Sequence, residues 1–274
     1  MKKLFTGMLC ATAVAMAATS AANAHRMWLL PSTFTLSGDT QWITVDGAIS
    51  NDLFFPNHVA LPLEDIRVTA PDGQTVPLQN GATGRFRSTF DVELTQQGTY
   101  RISETGGLYF ASWTDAEGET QRRRGTLETF ESEGITAIDG VSLMHSSRRV
   151  ETFVTLGAPT TGAFELDGTG YELQPVTHPN DVYAGEAAEF RVFLNGSPAE
   201  GAAVEIVRGN DRYRDDAGAV HAVTAADGSF SFTPDEAGRY WISAGRGESS
   251  RPEPDADGIV RISSYTATIE ALPF

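Results

Sequence analysis

Short stretches of alternating apolar and polar residues run through this chain and are separated by clusters of Gly, Pro, Asn and Asp. Clear examples lie at 42–45, 90–94, 190–194 and 265–269. Alternation with a period of two buries one face of a β-strand, whereas a helix needs apolar residues three and four apart. No long stretch keeps that second period. The sequence therefore predicts an all-β protein, most simply built from β-sandwiches.

An internal duplication refines this prediction, because three patterns recur in the same order about 140 to 155 residues apart. The pairs are 31–45 with 179–192, 68–73 with 223–228, and 90–103 with 230–243. In the third pair, Gly98-x-Tyr100 matches Gly238-x-Tyr240, and each glycine should let the chain turn a corner between two sheets. We therefore expect two tandem immunoglobulin-like β-sandwiches, at 25–172 and 173–274, the first with an insertion from about Glu104 to Gly170.

The N-terminus is typical of an exported protein. Lys2 and Lys3 precede an apolar stretch, and Ala22-Asn23-Ala24 ends it with the small residues of a cleavage site. We expect residues 1–24 to be a signal peptide that is removed, which makes His25 the first residue of the working protein. The leader also carries the only cysteine, so the processed chain forms no disulfide, and export without disulfides suits a bacterial periplasm.

Charge narrows the range of partners. Without its leader the chain has 18 arginines, no lysine and 36 carboxylates, a net charge of −18. Such a surface repels nucleic acid and anionic lipid and attracts cations. No second apolar run has the roughly 18 residues that a membrane-spanning helix needs. We expect a soluble protein with no membrane span and no nucleic-acid partner.

Histidine is the residue that could hold a metal ion. A processed His25 would offer its α-amine and its ring Nδ1 to one ion as a chelate. His178 precedes Pro179, the counterpart of Pro31 in the duplication, and Asp181 follows it closely. With no thiolate available, nitrogen and carboxylate donors suit Ni, Co, Cu(II) or Zn. The candidate ligands are His25, His178, Asp181 and His58.

Each candidate also has a structural interpretation. The segment 178–181 resembles a turn in which the histidine binds a backbone group and Asn180 and Asp181 make side-chain turns. His58 could lie at an exposed loop tip behind Phe54 and Phe55. Both alternatives remain open at the level of sequence.

Two arginine clusters lie in the insertion, at 122–124 and at Arg148-Arg149. Guanidinium groups can grip a phosphate or carboxylate ligand. The alternative is that these arginines pair with the chain's own acids, with Glu128, Glu131 and Glu133 as the expected partners.

The sequence lacks the nucleophile elbow, the Ser-x-x-Lys motif and the phosphate-binding loop of common enzyme classes. We therefore expect no enzymatic activity. One oxidative alternative remains, a copper centre on the amine and ring of His25 with a second histidine.

Six segments resemble a family of bacterial exported proteins that is described as a domain of unknown function and often labelled nickel-uptake-like. They are His25–Ser32, Ser50–Phe54, Arg85–Phe90, Arg149–Val154, Pro175–Asp181 and Ser264–Glu270. The resemblance implies a sandwich domain followed by one similar to the carboxypeptidase regulatory-like fold. It also implies a periplasmic role in nickel or cobalt uptake, with His25 and His178 in the family's histidine-bearing motifs.

Together these features predict a soluble periplasmic protein that binds a divalent metal ion and hands it to an inner-membrane transporter or works beside an outer-membrane receptor. The alternative is an adaptor that binds an envelope protein through exposed strand edges, with its histidines incidental.

Overall fold

The computed structural model describes residues 25–246 and 252–274. The expected signal peptide and its cleavage site lie outside these residues, so the signal peptide stays a prediction. His25 is the first residue described.

The described residues form β-strands, most of them paired antiparallel, with little helix. The strands are β1 (Arg26–Pro31), β2 (Thr35–Leu36), β3 (Gln41–Ser50), β4 (Val59–Ala60), β5 (Ile66–Thr69), β6 (Thr75–Val76), β7 (Gln79–Thr83), β8 (Ser88–Leu94), β9 (Gly98–Thr114), β10 (Thr120–Gly125), β11 (Ser142–Leu156), β12 (Tyr171–Pro175), β13 (Val182–Tyr183), β14 (Ala188–Leu194), β15 (Ser197–Pro198), β16 (Ala203–Arg208), β17 (Val220–Val223), β18 (Ser229–Phe232), β19 (Gly238–Gly245) and β20 (Ile259–Leu272). Helix α1 (Leu127–Ser132) and 3₁₀ turns at Ile135–Ala137, Gly162–Phe164 and Asp211–Tyr213 complete the set. None of these helices is long and apolar enough to cross a membrane.

The first sandwich packs a small sheet against part of a large one. The small sheet has the order β1-β3-β8-β7, with β4 beside β3, and it faces the strands β11-β9-β5-β6. The burial pattern of β8 reflects this packing. Its residues alternate between buried and half-buried along its whole length, as expected for a strand with one face in a core. Val45, Phe90, Ile102 and Val154 lie in this core.

The second sandwich repeats the arrangement. Its small sheet, β12-β14-β15 with β18 beside β14, faces the strands β17-β16-β19-β20. Phe190, Ile206, Ile242 and Ile269 lie in its core. The all-β fold with two immunoglobulin-like sandwiches is thus confirmed. The boundary predicted near Glu172 stays a prediction; Glu172 is the second residue of β12, and its neighbours Tyr171 and Leu173 belong to the second core.

The two sandwiches share one sheet, which the sequence did not predict. Strand β20 pairs in parallel with β11 from Leu143↔Ile259 to Thr152↔Thr268, which makes a single sheet of eleven strands in the described residues. Val150 of β11 lies in the first core, and its partner Thr266 shares that face. The second core uses Tyr265 and its alternate neighbours, on the opposite face. The small sheets therefore cover opposite faces of the shared sheet.

The duplicated Gly-x-Tyr pattern has the predicted role. Gly98 and Gly238 begin β9 and β19 with φ of +129° and +147°, values that favour glycine. Tyr100 Oη donates to the backbone oxygen of Gln96, and Tyr240 Oη donates to that of Glu236, four residues upstream in both cases. The two sandwiches therefore turn this corner with the same hydrogen bond.

The insertion lengthens β9 and β11 beyond the first sandwich. Strand β10 folds back on the end of β9, and α1 packs Phe130 against Ala111 of β9 in a small separate core. The lengthened strands, together with the start of β20, form a blade at the junction of the sandwiches.

Candidate metal centre

The structure brings two of the predicted ligands together. His25 directly precedes β1 and His58 directly precedes β4, and these strands pair with the two sides of β3. The two imidazole rings stack with centroids 3.8 Å apart and an angle of 8° between their planes. Both histidines are exposed, so each side chain is free to turn toward a ligand.

A buried carboxylate, Asp211, fixes the segments that carry both histidines. Arg26 Nη1 donates to Asp211 Oδ2 at 2.7 Å, and the backbone N–H of Leu53 donates to Asp211 Oδ1 at 3.0 Å. Asp211 belongs to the second sandwich, so one carboxylate connects it to both the start of β1 and the loop that leads to His58. Nothing in the local sequence around Asp211 signals this role, because its partners lie more than 150 residues away.

Two tryptophans form a buried apolar cluster beneath the start of β1. Trp28 and Leu53 pack against Val207 and Trp241 in a cluster that joins the sandwiches. Trp241 Nε1 donates to the backbone oxygen of Met27 at 2.8 Å, which holds β1 against β19. The described chain therefore begins with a strand that is anchored to the second sandwich next to His58.

His178 has a different environment. Its Nδ1 accepts a hydrogen bond from the backbone N–H of Asn180 at 3.1 Å, so Nε2 carries the ring proton and faces Thr99 Oγ1 at 2.9 Å and the Thr160 oxygen at 3.3 Å. Burial lowers the pKa of the ring, more strongly than the Thr160 carbonyl and the Asp181 carboxylate raise it. Both ring nitrogens therefore have protein partners, as in the turn interpretation of this segment.

Two positions along strand β11 show how far His25 and His178 are separated. Met27 accepts a hydrogen bond from Thr266 Oγ1, and Thr266 pairs with Val150 of β11. Thr99, which contacts the ring of His178, pairs with Thr155 of β11. Thr155 lies five residues beyond Val150 along that strand. At about 3.3 Å per residue, the two positions lie about 17 Å apart.

The chain runs from β1 toward β2, which pairs with the far end of β11, so His25 lies on the side away from His178. Donors to one ion lie within a few ångströms of each other, since metal–nitrogen bonds are roughly 2.0–2.1 Å. The structure therefore does not bring His178 and Asp181 to His25; it brings His58. Within residues 25–246 and 252–274, no three side chains of His, Cys, Asp or Glu group as metal ligands.

The arginines at 148 and 149 pair with acids, but with different acids from those expected. Arg148 binds the buried carboxylate of Glu104, and Arg149 Nη2 donates to Asp167 at 2.7 Å. Arg149 Nη1 also lies 3.6 Å from Glu151, whose fully buried carboxyl has its pKa raised by burial. The prediction of Glu128, Glu131 and Glu133 was wrong for these two arginines, because strand pairing, not proximity in sequence, decides their neighbours.

The fold and this site define a two-sandwich β-protein with a pair of exposed histidines at the junction. The chain belongs to the family described as Domain of unknown function (DUF4198), whose profile matches residues 22–247. This confirms membership of a family without an assigned function. The nickel-uptake label and the carboxypeptidase regulatory-like domain stay predictions.

Several solved structures are similar in part. The D0-D1 domain of intimin is 12% identical, with 89% of this chain and 97% of that chain covered and a TM-score of 0.24. The ectodomain of mouse nectin-like molecule 4 is 9% identical, with 92% and 65% covered and a TM-score of 0.20. The pilus 2b backbone protein of group B streptococcus is 10% identical, with 87% and 97% covered and a TM-score of 0.16. At these scores the likenesses carry no functional argument. No curated protein matches the chain.

Proposed function

We propose that the processed protein binds one divalent transition-metal ion through His25 and His58 and serves in its capture and handover in the periplasm. The observation that carries this proposal is the contact between the two rings, whose centroids lie 3.8 Å apart beside the anchored strand β1. Removal of residues 1–24 would add the α-amine of His25 beside its own ring. Three nitrogen donors would then lie within reach of one ion.

This donor set fits the borderline ions Ni²⁺, Co²⁺, Cu²⁺ and Zn²⁺, which bind imidazole and amine nitrogen well. Stacked rings do not aim their in-plane lone pairs at a common point, so binding requires one ring to rotate about its side-chain bonds. Both rings are exposed, so this rotation meets little resistance. Three donors on an open surface leave coordination positions for water or a partner's ligand, as exchange of the ion requires.

The chain, with its leader, has a net charge of −16. A negatively charged surface raises the local concentration of cations, which supports a role in metal capture. The resemblance to proteins labelled nickel-uptake-like supports an ion of the nickel or cobalt kind. The expected recipient is an inner-membrane transporter, or an outer-membrane receptor beside which the protein works. The role is binding rather than catalysis.

Calorimetric titration with each of the four ions tests the proposal. We expect the protein that begins at His25 to bind one ion, and a form with one added N-terminal alanine to bind at least about tenfold more weakly, because the chelate is lost. His58→Ala should weaken binding by a similar factor. His178→Ala is the matched control and should leave the affinity unchanged. Equal affinity in all four proteins would overturn the proposal.

An adaptor role is the second candidate, and strand β17 favours it. This strand pairs with β16 at one end of the shared sheet, and its Val220 and Val223 are 50% and 68% exposed. Such an edge can accept a strand from a partner. Capture of an envelope protein that persists in chelator, and that Val223→Lys abolishes, would favour this candidate over metal handover.

A further inference from the structure

A cleft of about 760 Å³ lies at the junction of the two sandwiches, within the size range of ligand-binding sites. Its walls come from the blade of β9, β11 and β20 and from the turns at Asp167–Tyr171 and Asn195. Three of the β11 residues that line the cleft, His145, Ser147 and Arg149, alternate with Val150 and lie on the opposite face from it. The cleft is therefore on the other side of the shared sheet from His25 and His58.

The floor is a set of polar side chains in register. Ser147 of β11 pairs with Gly107 of β9 and with Ser263 of β20. One step along the same face, His145 pairs with Arg261. Gly107 makes room for the imidazole of His145, because a Cβ at position 107 would lie 2.9 Å from His145 Nε2. Hydroxyl, imidazole and guanidinium groups thus face one open space.

Two of the arginines that line this cleft, Arg149 and Arg261, are paired with carboxylates. Arg149 is bound to Asp167 and has Glu151 and Glu172 within 3.6 and 3.9 Å. Arg261 is bound to Asp255 and has Asp257 within 3.8 Å. Guanidinium groups with so many carboxylate neighbours leave little net attraction for a phosphate or carboxylate ligand. Arg149 and Arg261 therefore do not by themselves make this an anion site.

Paired charges instead suit a ligand that donates and accepts hydrogen bonds with the same group. A sugar hydroxyl does both, and a guanidinium beside a carboxylate offers donors and acceptors at fixed spacing. His145 adds to this character, since burial and the nearby Arg261 lower the pKa of its ring and favour the neutral form, which has one donor and one acceptor.

We infer that the cleft between the two sandwiches binds an uncharged, hydroxyl-rich ligand, a short segment of a neutral oligosaccharide. This site is separate from the histidine pair, and its occupation does not require a metal ion.

Calorimetry or amide chemical-shift titration with cellotetraose, maltotetraose and chitotetraose, in chelator, tests this inference, with tetragalacturonic acid as the charged probe. We expect one neutral tetrasaccharide to bind in 1:1 ratio and Arg261→Gln to weaken it about tenfold, since hydrogen bonds to charged groups are lost. Arg85→Gln, an equal charge change on an exposed arginine outside the cleft lining, is the matched control.

His58→Ala should leave sugar binding unchanged, which separates this site from the proposed metal site. Three results would overturn the inference: no binding of any neutral probe, binding of tetragalacturonic acid alone, or equal affinity of Arg261→Gln and the unchanged protein. Arg261 is half exposed, so its replacement should leave the fold intact, and circular dichroism of the variant checks this.

Discussion

At the scale of single residues, the histidines differ in their surroundings. His25 and His58 are exposed and contact each other. His178 is half-buried with both ring nitrogens bonded. The sequence left ligand and turn residue as alternatives for His178, and its hydrogen bonds agree with the turn.

His178 should make stability depend on pH. Because its folded pKa is lowered, the unfolded chain binds the proton more readily, and stability is lost as pH falls below the unfolded value of about 6.5. Urea unfolding between pH 7 and pH 5 should show a smaller loss in His178→Gln than in the unchanged protein. His221→Gln, on exposed β17, is the control. An equal loss in all three proteins would contradict the assignment.

At the scale of elements, the duplicated turns are similar in conformation but differ in what surrounds them. Gly73 and Gly228 occupy matching Asp-Gly turns, with φ of +83° and +78°. A Cβ on Gly73 would meet open space, whereas a Cβ on Gly228 would lie 2.3 Å from the Val192 oxygen. Both turns carry the same Asp-Gly pair, and only packing distinguishes them.

This difference makes the two glycines a matched pair for substitution. Gly73→Ala should cost about 1–2 kcal/mol, the penalty of left-handed backbone for an L-residue. Gly228→Ala should cost clearly more, because the backbone around Val192 must also move. Denaturant unfolding of the two variants measures the difference. Equal losses would show that the close approach at Gly228 is relieved without cost.

At the scale of the whole molecule, the shared sheet makes one unit of the two sandwiches. Strands β11 and β20 pair over ten residues, and each small sheet covers one face of the sheet they form. From Arg149 to Leu156, β11 is buried at every residue, which a strand with one free face would not show.

The protein should therefore unfold in one cooperative step. Neither sandwich can lose its half of the shared sheet without exposing the strand that pairs with the other half. Scanning calorimetry of the processed chain should give one transition with a calorimetric enthalpy equal to the van't Hoff enthalpy. Two separate transitions would show that the parallel pairing of β11 and β20 contributes little to stability.

The sequence by itself determined the strands, the turns and the doubling of the fold, because alternation, Asp-Gly pairs and Gly-x-Tyr corners are encoded within a few neighbouring residues. It could not determine that β20 pairs with β11, that Asp211 joins Arg26 to Leu53, or that His58 rather than His178 lies beside His25. Each of these contacts joins residues far apart in the chain, and a period-two pattern says which residues face a core but not which core they face. Only the tertiary structure decided them, because it chose the partner of each strand.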